Sequence, residues 1–387
     1  MNEVRVGVIG IGNMGRLHAL DLKQGKVKNA CLSAVCDINS KARQWAQEHL
    51  GGDVPIFTNA EDFFGKAPLD AVMVVTPHYS HPELAVRGFE QGLHVLVEKP
   101  AGVGTKQVRQ MNDAAEKSGK VFSIMFCNRT YPVYQRVRDL VSSGELGDLK
   151  RINWTVTHWY RSQSYYDSGG WRATWKGEGG GVLLNQAPHE LDLWQWMFGL
   201  PERVRAFCHY GKYHTIEVED DVTAYLEYPH GTTGVFITST GEAPGTNRLE
   251  IAGDRGRLVV EEDQIWFDRL TVTEREFNRS YDGGFGSPES WRCQIPVQPN
   301  PAHKHAVITQ NWIDAITKGT PLLADGQEGI RSLELSNAMH LSSWLDGWVS
   351  IPVDEDAFQR ELAKRVATSL DKQGEDEGYI DASTSFK

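Results

Sequence analysis

Gly10-Ile11-Gly12-Asn13-Met14-Gly15 is a G-x-G-x-x-G run between an apolar stretch, Val4–Ile9, and a segment of helical character from about Met14 to Leu22. In that setting the first glycine serves a tight turn. The second admits the close approach of a pyrophosphate, and the third lets helix and strand pack together. The anion would rest on backbone N–H groups at the helix N-terminus, around Asn13 and Met14. Asp37 closes a second apolar run, Leu32–Cys36, about twenty residues on, where a carboxylate accepts hydrogen bonds from a ribose. Its charge would repel a 2′-phosphate, and Ile38-Asn39 bring no arginine, so the expected dinucleotide is NAD; Lys41 and Arg43 are the nearest cations.

Lys99 lies in Val95-Leu96-Val97-Glu98-Lys99-Pro100, just past the end of another apolar run. Ligands of open α/β sheets bind at the carboxyl ends of the strands. An ammonium there can hydrogen-bond a substrate oxygen and stabilise alkoxide character as hydride leaves. Pro100 stiffens the turn and is compatible with a cis bond. Taken alone, Glu-Lys-Pro is more often a surface turn.

These segments, with Thr76-Pro77 and His81, resemble the glucose–fructose oxidoreductase/inositol dehydrogenase (Gfo/Idh/MocA) family. The resemblance continues through Asn128-Arg129, Gly144-Glu145-Leu146-Gly147, the run from Gly179 to His189 and Gly326-Gln327-Glu328-Gly329, covering roughly residues 4–355. It implies a Rossmann domain, then an α/β domain with an open sheet that commonly builds a dimer or tetramer. It also implies cofactor contacts at Thr76, Pro77, His78, His81, Glu98 and Lys99, catalytic roles for Lys99, Asn185 and His189, and a substrate contact at Asn128. Members mostly oxidise or reduce a hydroxyl or carbonyl of a sugar or cyclitol. This chain departs from the family pattern in two places: Asn185 stands where an acid is commoner, and His78 where Asn usually follows Thr-Pro.

The residues support the same assignment. Asn185, His189 and Asp192 recur at i, i+4 and i+7 after Gly179-Gly180-Gly181 and would share one face of a helix. Imidazole is the side chain best matched to proton transfer near neutral pH. A lone His beside Trp194 and Trp196 would more often be a core residue; Lys99 and the glycine loop reverse that weighting. A neutral Asn185 should hold His189 closer to the ordinary value of ~6.5 than an acid at that position would.

Residues 154–175 crowd together Trp154, His158, Trp159, Tyr160, Arg161, Tyr165, Tyr166, Trp171, Arg172 and Trp175. Aromatic faces pack on the C–H faces of sugar rings, although aromatics also dominate cores and subunit contacts. The expected pocket residues are Tyr160, Arg161, Trp171 and Arg172. With no Lys/Arg cluster to hold a phosphate, the expected substrate is a neutral sugar, glycoside or cyclitol.

The elements that must position these groups fall into two patterns. Up to about Met125, short apolar runs alternate with helical stretches: Ala71–Val75, Glu83–Glu90, His94–Val97, Lys106–Ser118 and Val121–Met125 follow the first pair. That alternation means βαβ units and a parallel sheet. After a helix at Tyr134–Ser142 come strand candidates with few helices: Lys150–Tyr160, Arg203–Tyr210, Val222–Tyr228, Thr233–Thr240, Arg248–Ala252, Arg257–Glu261 and Leu270–Phe277. Helices at His305–Thr317 and Gln327–Trp344 follow. The expected fold class is α/β: a dinucleotide-binding domain over 1–127, a substrate-binding and oligomerisation domain with a large, mostly antiparallel open sheet over 128–365, and a polar tail over 366–387.

The chain has 387 residues, 40% of them hydrophobic, enough for two cores without staples. A net charge of −11 argues against nucleic-acid and anionic-membrane partners. The five Cys show no metal-ligand spacing, so no metal is expected, and they read as reduced thiols of a cytoplasmic protein. Two other functions fit the same motifs: a glycoside-processing enzyme that retains its NAD through transient oxidation, and a dinucleotide-sensing regulator. The pairing of Lys99 with His189 argues against the latter.

Overall fold

The computed structural model describes residues 3–299, 304–370 and 372. The first half of the chain runs β1 (Val4–Ile9), α1 (Asn13–Lys23), β2 (Ala30–Cys36), α2 (Ser40–His49), β3 (Ile56–Phe57), α3 (Ala60–Lys66), β4 (Ala71–Val74), α4 (His81–Glu90), β5 (His94–Val97), α5 (Thr105–Ser118) and β6 (Phe122–Ile124). The strands form one parallel sheet in the order β3-β2-β1-β4-β5-β6. β1, β4 and β5 are buried on both faces, as the near-continuous apolar runs of a parallel sheet require.

Register decides where the chemistry goes. Ile9 pairs with Cys36 on one side and Val74 on the other, and Val74 pairs with Val97. Four strands therefore end in one row, and the residues just past them, Gly10, Asp37, Val75-Thr76 and Glu98-Lys99, emerge at a single edge. The strand order reverses between β1 and β4, which opens a crevice at that edge.

The second half continues with α6 (Pro132–Ser142), β7 (Leu149–Val156), α7 (Gln163–Asp167), α8 (Pro188–Phe198), β8 (Arg203–Tyr210), β9 (Glu219–Glu227), β10 (Thr233–Ser239), β11 (Asn247–Gly253), β12 (Gly256–Glu261), β13 (Gln264–Leu270), α9 (Glu274–Ser280), β14 (Ser290–Ile295), α10 (Lys304–Lys318), α11 (Gly329–Leu345), β15 (Val349–Ser350) and α12 (Glu355–Thr368). Its strands form a nine-stranded sheet, β14-β13-β12-β11-β7-β10-β9-β8-β15, antiparallel except where β7 meets β10. Alternation along β7 to β10 buries Ile152, Trp154, Ala206, Ala224 and Phe236 on one face, where α8 and α11 pack. On the other face Phe207 and Tyr225 are 52% and 38% exposed.

The two units share contacts. Ile124 N donates to Ala324 O at 3.2 Å, and Asn337 Nδ2 donates to Val103 O at 2.9 Å. No described helix is long and apolar enough to cross a membrane.

Several boundaries differ from expectation. The strand expected over Leu270–Phe277 ends at Leu270, and Glu274–Ser280 is a helix. Thr273 caps it by accepting from Glu276 N at 3.1 Å, in a T-x-x-E arrangement that favours a helix start. β7 ends at Val156, before Tyr160. The tail expected from residue 366 is still helical to Thr368; most of the remainder lies outside the described residues.

Candidate active site

A cleft of about 590 Å³ runs along the edge where the parallel strands end. Each glycine of the loop has a distinct reason to be there. Gly10 has φ +95°, and a Cβ on it would meet Val75 O at 2.5 Å. A Cβ on Gly15 would lie 1.9 Å from Gly10 O, so helix and loop touch only without a side chain. A Cβ on Gly12 would meet nothing within 4 Å: the protein itself does not demand glycine there, whereas a ligand lying on the backbone would. α1 has no side-chain cap and no acid in its first turn, which leaves its N–H groups and positive dipole end for an anion. The residues present therefore fit a dinucleotide pyrophosphate.

Asp37 lines the cleft, and its carboxylate holds the loop as well. Oδ2 accepts from Ile11 N at 2.6 Å and Oδ1 from Asn39 N at 2.8 Å. Arg43 turns its guanidinium onto the Asp37 and Ile38 carbonyls, at 3.0 and 2.7 Å. Gly10, Gly12, Asn13, Met14, Thr76, Pro77, His78, His81, Glu98 and Lys99 all line the same cleft; Gly15 acts from behind, through packing. His81 has both ring nitrogens on backbone carbonyls, Pro100 O at 2.8 Å and Thr76 O at 2.6 Å, so it ties two loops together. His78 is buried, with Nδ1 3.1 Å from Glu178 O; a carbonyl there requires Nδ1 to carry the proton. Burial, with His81 and Lys99 nearby, holds His78 well below the usual imidazole range, so it is neutral.

Lys99 follows β5, and the Lys99–Pro100 bond is cis. Its Nζ donates to Asn185 O at 2.8 Å. Burial pulls its pKa below the ordinary lysine value, with Arg172 and Arg161 pushing the same way and Glu98 opposing. Behind it, Glu98 Oε1 is 2.9 Å from His18 Nε2, and Glu98 Oε2 accepts from Lys99 N at 3.0 Å.

Asn185 sits in a turn just before α8, not on the helix. That turn is held by a second buried acid, Glu219, whose Oε1 accepts from Gly181 N at 2.9 Å and Leu183 N at 3.0 Å. Asn185 Nδ2 donates to Glu178 Oε1, and Glu178 Oε2 accepts from Ala173 N at 2.5 Å. Burial raises the Glu178 pKa, with Arg172 opposing. Glu178 thus brings a carboxyl against residue 185, which the spacing did not reveal; an acid just before a glycine run was its one visible trace. With Nδ2 engaged, the amide oxygen of Asn185 is turned toward acceptor duty.

His189 lies on the first turn of α8 and faces a second chamber, of about 420 Å³, together with Asn128. Its Nδ1 is buried and has no partner. Burial, with Lys99 and His305 adding to it, holds His189 well below 6.5. Asp192 does not join it. It forms a bidentate pair with buried Arg129, at 2.6 and 2.8 Å, and Arg129 also reaches Glu328 at 2.5 Å. One ion cluster thus joins three separated motifs and locks α8 to the loops around it.

The aromatic segment divides. Trp171 and Arg172 line the cleft, where Arg172 lies over both Trp171 and Tyr165 and donates to Tyr165 Oη at 2.9 Å. Tyr160 is 50% exposed, and Arg161 folds back onto Tyr160 O at 2.9 Å; neither lines the cleft or the chamber. Once β7 ends, the chain turns His158 and Trp159 inward instead. Trp154 and Tyr166 are core residues.

Residues 4–126 match the oxidoreductase family with an NAD-binding Rossmann fold, and residues 134–259 match the GFO/IDH/MocA C-terminal domain. The chain is 28% identical to inositol 2-dehydrogenase of Corynebacterium glutamicum over 376 residues, covering 91% of this chain and 96% of that protein. It is 29% identical to trans-1,2-dihydrobenzene-1,2-diol dehydrogenase of Bos taurus over 266 residues, covering 64% of this chain and 73% of that protein. The WlbA dehydrogenase of Bordetella pertussis, solved with NADH and UDP-GlcNAcA, superposes with a TM-score of 0.76 at 26% identity, covering 91% of this chain and all of that one. With one match on each sheet, this chain belongs to the Gfo/Idh/MocA family of NAD(P)-dependent oxidoreductases.

Proposed function

We propose that the chain transfers hydride between NAD and a ring hydroxyl or carbonyl of a neutral sugar, glycoside or cyclitol. The observation that carries this reading is the position of Lys99, a half-buried amine on the cleft wall, fixed to the turn that leads to His189. Nicotinamide supplies the hydride acceptor in one direction and the donor in the other. The chain's own groups manage the substrate oxygen. Lys99 Nζ donates a hydrogen bond to it and stabilises its developing charge. Asn185 Oδ1 accepts from a neighbouring hydroxyl and sets the ring's orientation. Neutral His189 takes the hydroxyl proton during oxidation and returns it during reduction. Gly10, Gly12, Asn13 and Met14 would hold the pyrophosphate and Asp37 the ribose, with Trp171 and Arg172 on the wall of the same cleft.

Several likenesses support the substrate class. Relatives at this level of identity are named as inositol dehydrogenases, including myo-inositol 2-dehydrogenase of Thermotoga maritima, 22% identical over 87% of this chain. We place the boundary between the units at about residue 127 and assign the exposed face of β8 and β9, with Phe207 and Tyr225, to a contact between copies. Light scattering of wild type and Phe207→Lys tests that contact. NAD reduction with inositols, free hexoses, glycosides and 1,5-anhydro sugars tests the function; no reduction with any of them contradicts it.

A further inference from the structure

The stretch of chain that carries Trp171 and Arg172 has little regular structure to hold its shape. Residues 168–178 lie between α7 and the glycine run and contain neither helix nor strand. Ser168, Gly170, Trp171 and Arg172 nonetheless line the cleft, and the Trp171 ring meets the His78 ring edge-on at 5.4 Å. Ala173 has φ +59°, a left-handed conformation that a residue with a Cβ keeps only where its surroundings impose it. The backbone polar groups of such a segment need partners from elsewhere. Tyr79 Oη supplies one, donating to Trp175 O at 2.7 Å, and the Glu178 carboxyl supplies another at Ala173 N.

Further partners come from behind this wall, from Glu217 and the residues just past α12. Glu217 N donates to Ala173 O at 3.2 Å, and its Oε2 accepts from Trp175 N at 3.3 Å. The same carboxylate takes the chain leaving α12: Oε2 accepts from Ser369 Oγ and Oε1 from Leu370 N, both at 2.5 Å. Ser369 Oγ in turn accepts from Lys176 N at 3.2 Å. Lys372 Nζ donates to Tyr166 O at 2.6 Å, and a Cβ on Gly170 would lie 3.4 Å from Lys372 O. The chain past α12 therefore touches the wall at Tyr166, Gly170 and Lys176. The start of α12 is tied to α5 of the parallel-sheet unit, by Arg109 on Glu355 and Lys106 on Asp356, each at 2.9 Å. One helix and its continuation thus reach from the first unit to the cleft wall of the second.

We propose that Glu217 and Ser369 are positioning residues for the dinucleotide: they clasp the chain past α12 to Trp175 and Lys176 and so hold Trp171 and Arg172 at the cleft. Neither residue lines the cleft, so both act through the wall. A carboxylate that accepts from a hydroxyl and two backbone N–H groups makes charge-assisted hydrogen bonds, the stronger kind. An amide in its place would turn an NH2 toward one of those donors and break the clasp. The wall would then spend part of its time away from the ligand, and that fraction lowers the apparent affinity. The proposal needs only that the cleft takes a dinucleotide, whichever substrate is turned over.

The test uses the full chain and two readouts: NADH affinity by fluorescence titration, and amide hydrogen exchange of peptides from 166–177 by mass spectrometry. Glu217→Gln and Ser369→Ala should each raise the Kd for NADH about three- to tenfold, the scale of one lost hydrogen bond. Exchange in 166–177 should speed up in both, while peptides from α1 exchange as in the wild type. Ser369→Thr keeps the hydroxyl and should bind NADH as the wild type does. Ser369→Ala removes one oxygen from a half-buried site, so it gives a folded variant even where Glu217→Gln does not. A merely structural clasp would speed exchange and leave the Kd alone, and that result overturns the proposal. Unchanged exchange in both variants overturns it as well. Either outcome leaves the functional reading intact, whereas wild type that binds no NADH removes the cofactor site and this proposal together.

Discussion

Lys99 Nζ donates to the backbone carbonyl of Asn185 at 2.8 Å, so the ammonium at the end of β5 is held by the same turn that carries the chain into His189. A backbone partner has a consequence: substitutions at 185 leave the anchor of Lys99 in place. The two sheets thereby share one fixed point at the cleft.

Lys99→Met should lower turnover by about 10²–10³ or more, the usual cost of removing such a donor, while NAD still binds. Cofactor titration by fluorescence, run beside steady-state rates, checks both halves. Turnover within tenfold of wild type would remove Lys99 from the chemistry.

Asp37→Ala should weaken NAD binding and narrow the preference for NAD over NADP. Because Asp37 also holds Ile11 N and Asn39 N, the variant loosens the loop and should raise KM for both cofactors, NAD more than NADP. Equal use of the two by the wild type would refute the ribose assignment.

His189 is held well below 6.5, so it is neutral and ready to accept a proton throughout the neutral range. Oxidative kcat/KM should therefore stay nearly flat as pH falls from about 8 to 6.5 and decline only below the ordinary imidazole value of ~6.5. A limb at or above 6.5 would mean that another group titrates.

Asn185→Asp would set a new carboxyl against Glu178, where two like charges cannot both ionise easily and one tends to keep its proton. The acidic limb should move to higher pH by less than about one unit in the single variant. With Glu178→Gln added, the aspartate ionises freely and the limb should rise by about one unit, because a nearby negative charge raises an imidazole pKa. Identical limbs in the two variants would show that Glu178 and residue 185 are uncoupled.

The parallel sheet was legible because each of its longer strands is an apolar run bounded by glycine, proline or acid, and a row of aligned ends follows from that topology. Asp37 and Lys99 were found by position for the same reason. The mis-read segment at 270–277 shows the limit: its alternation mimicked a strand, and the cap at Thr273 with Glu276 decided for helix. Asp192 kept helical spacing with His189, but spacing does not say which side of a helix meets buried Arg129. Tyr160 and Trp159 are neighbours, and which of them turns inward depends on where β7 stops. Glu178 was out of reach because an acid becomes a site residue only through burial, which tertiary packing supplies.

The most direct measurement follows the near-ultraviolet absorbance of reduced nicotinamide when wild type and Lys99→Met, both shown to bind NAD, are mixed with neutral ring polyols. Reduced cofactor should accumulate with at least one polyol for the wild type and fall by about 10² or more in the variant. NAD-bound wild type that reduces none of its cofactor, or a variant that matches it, would contradict hydride transfer assisted by Lys99.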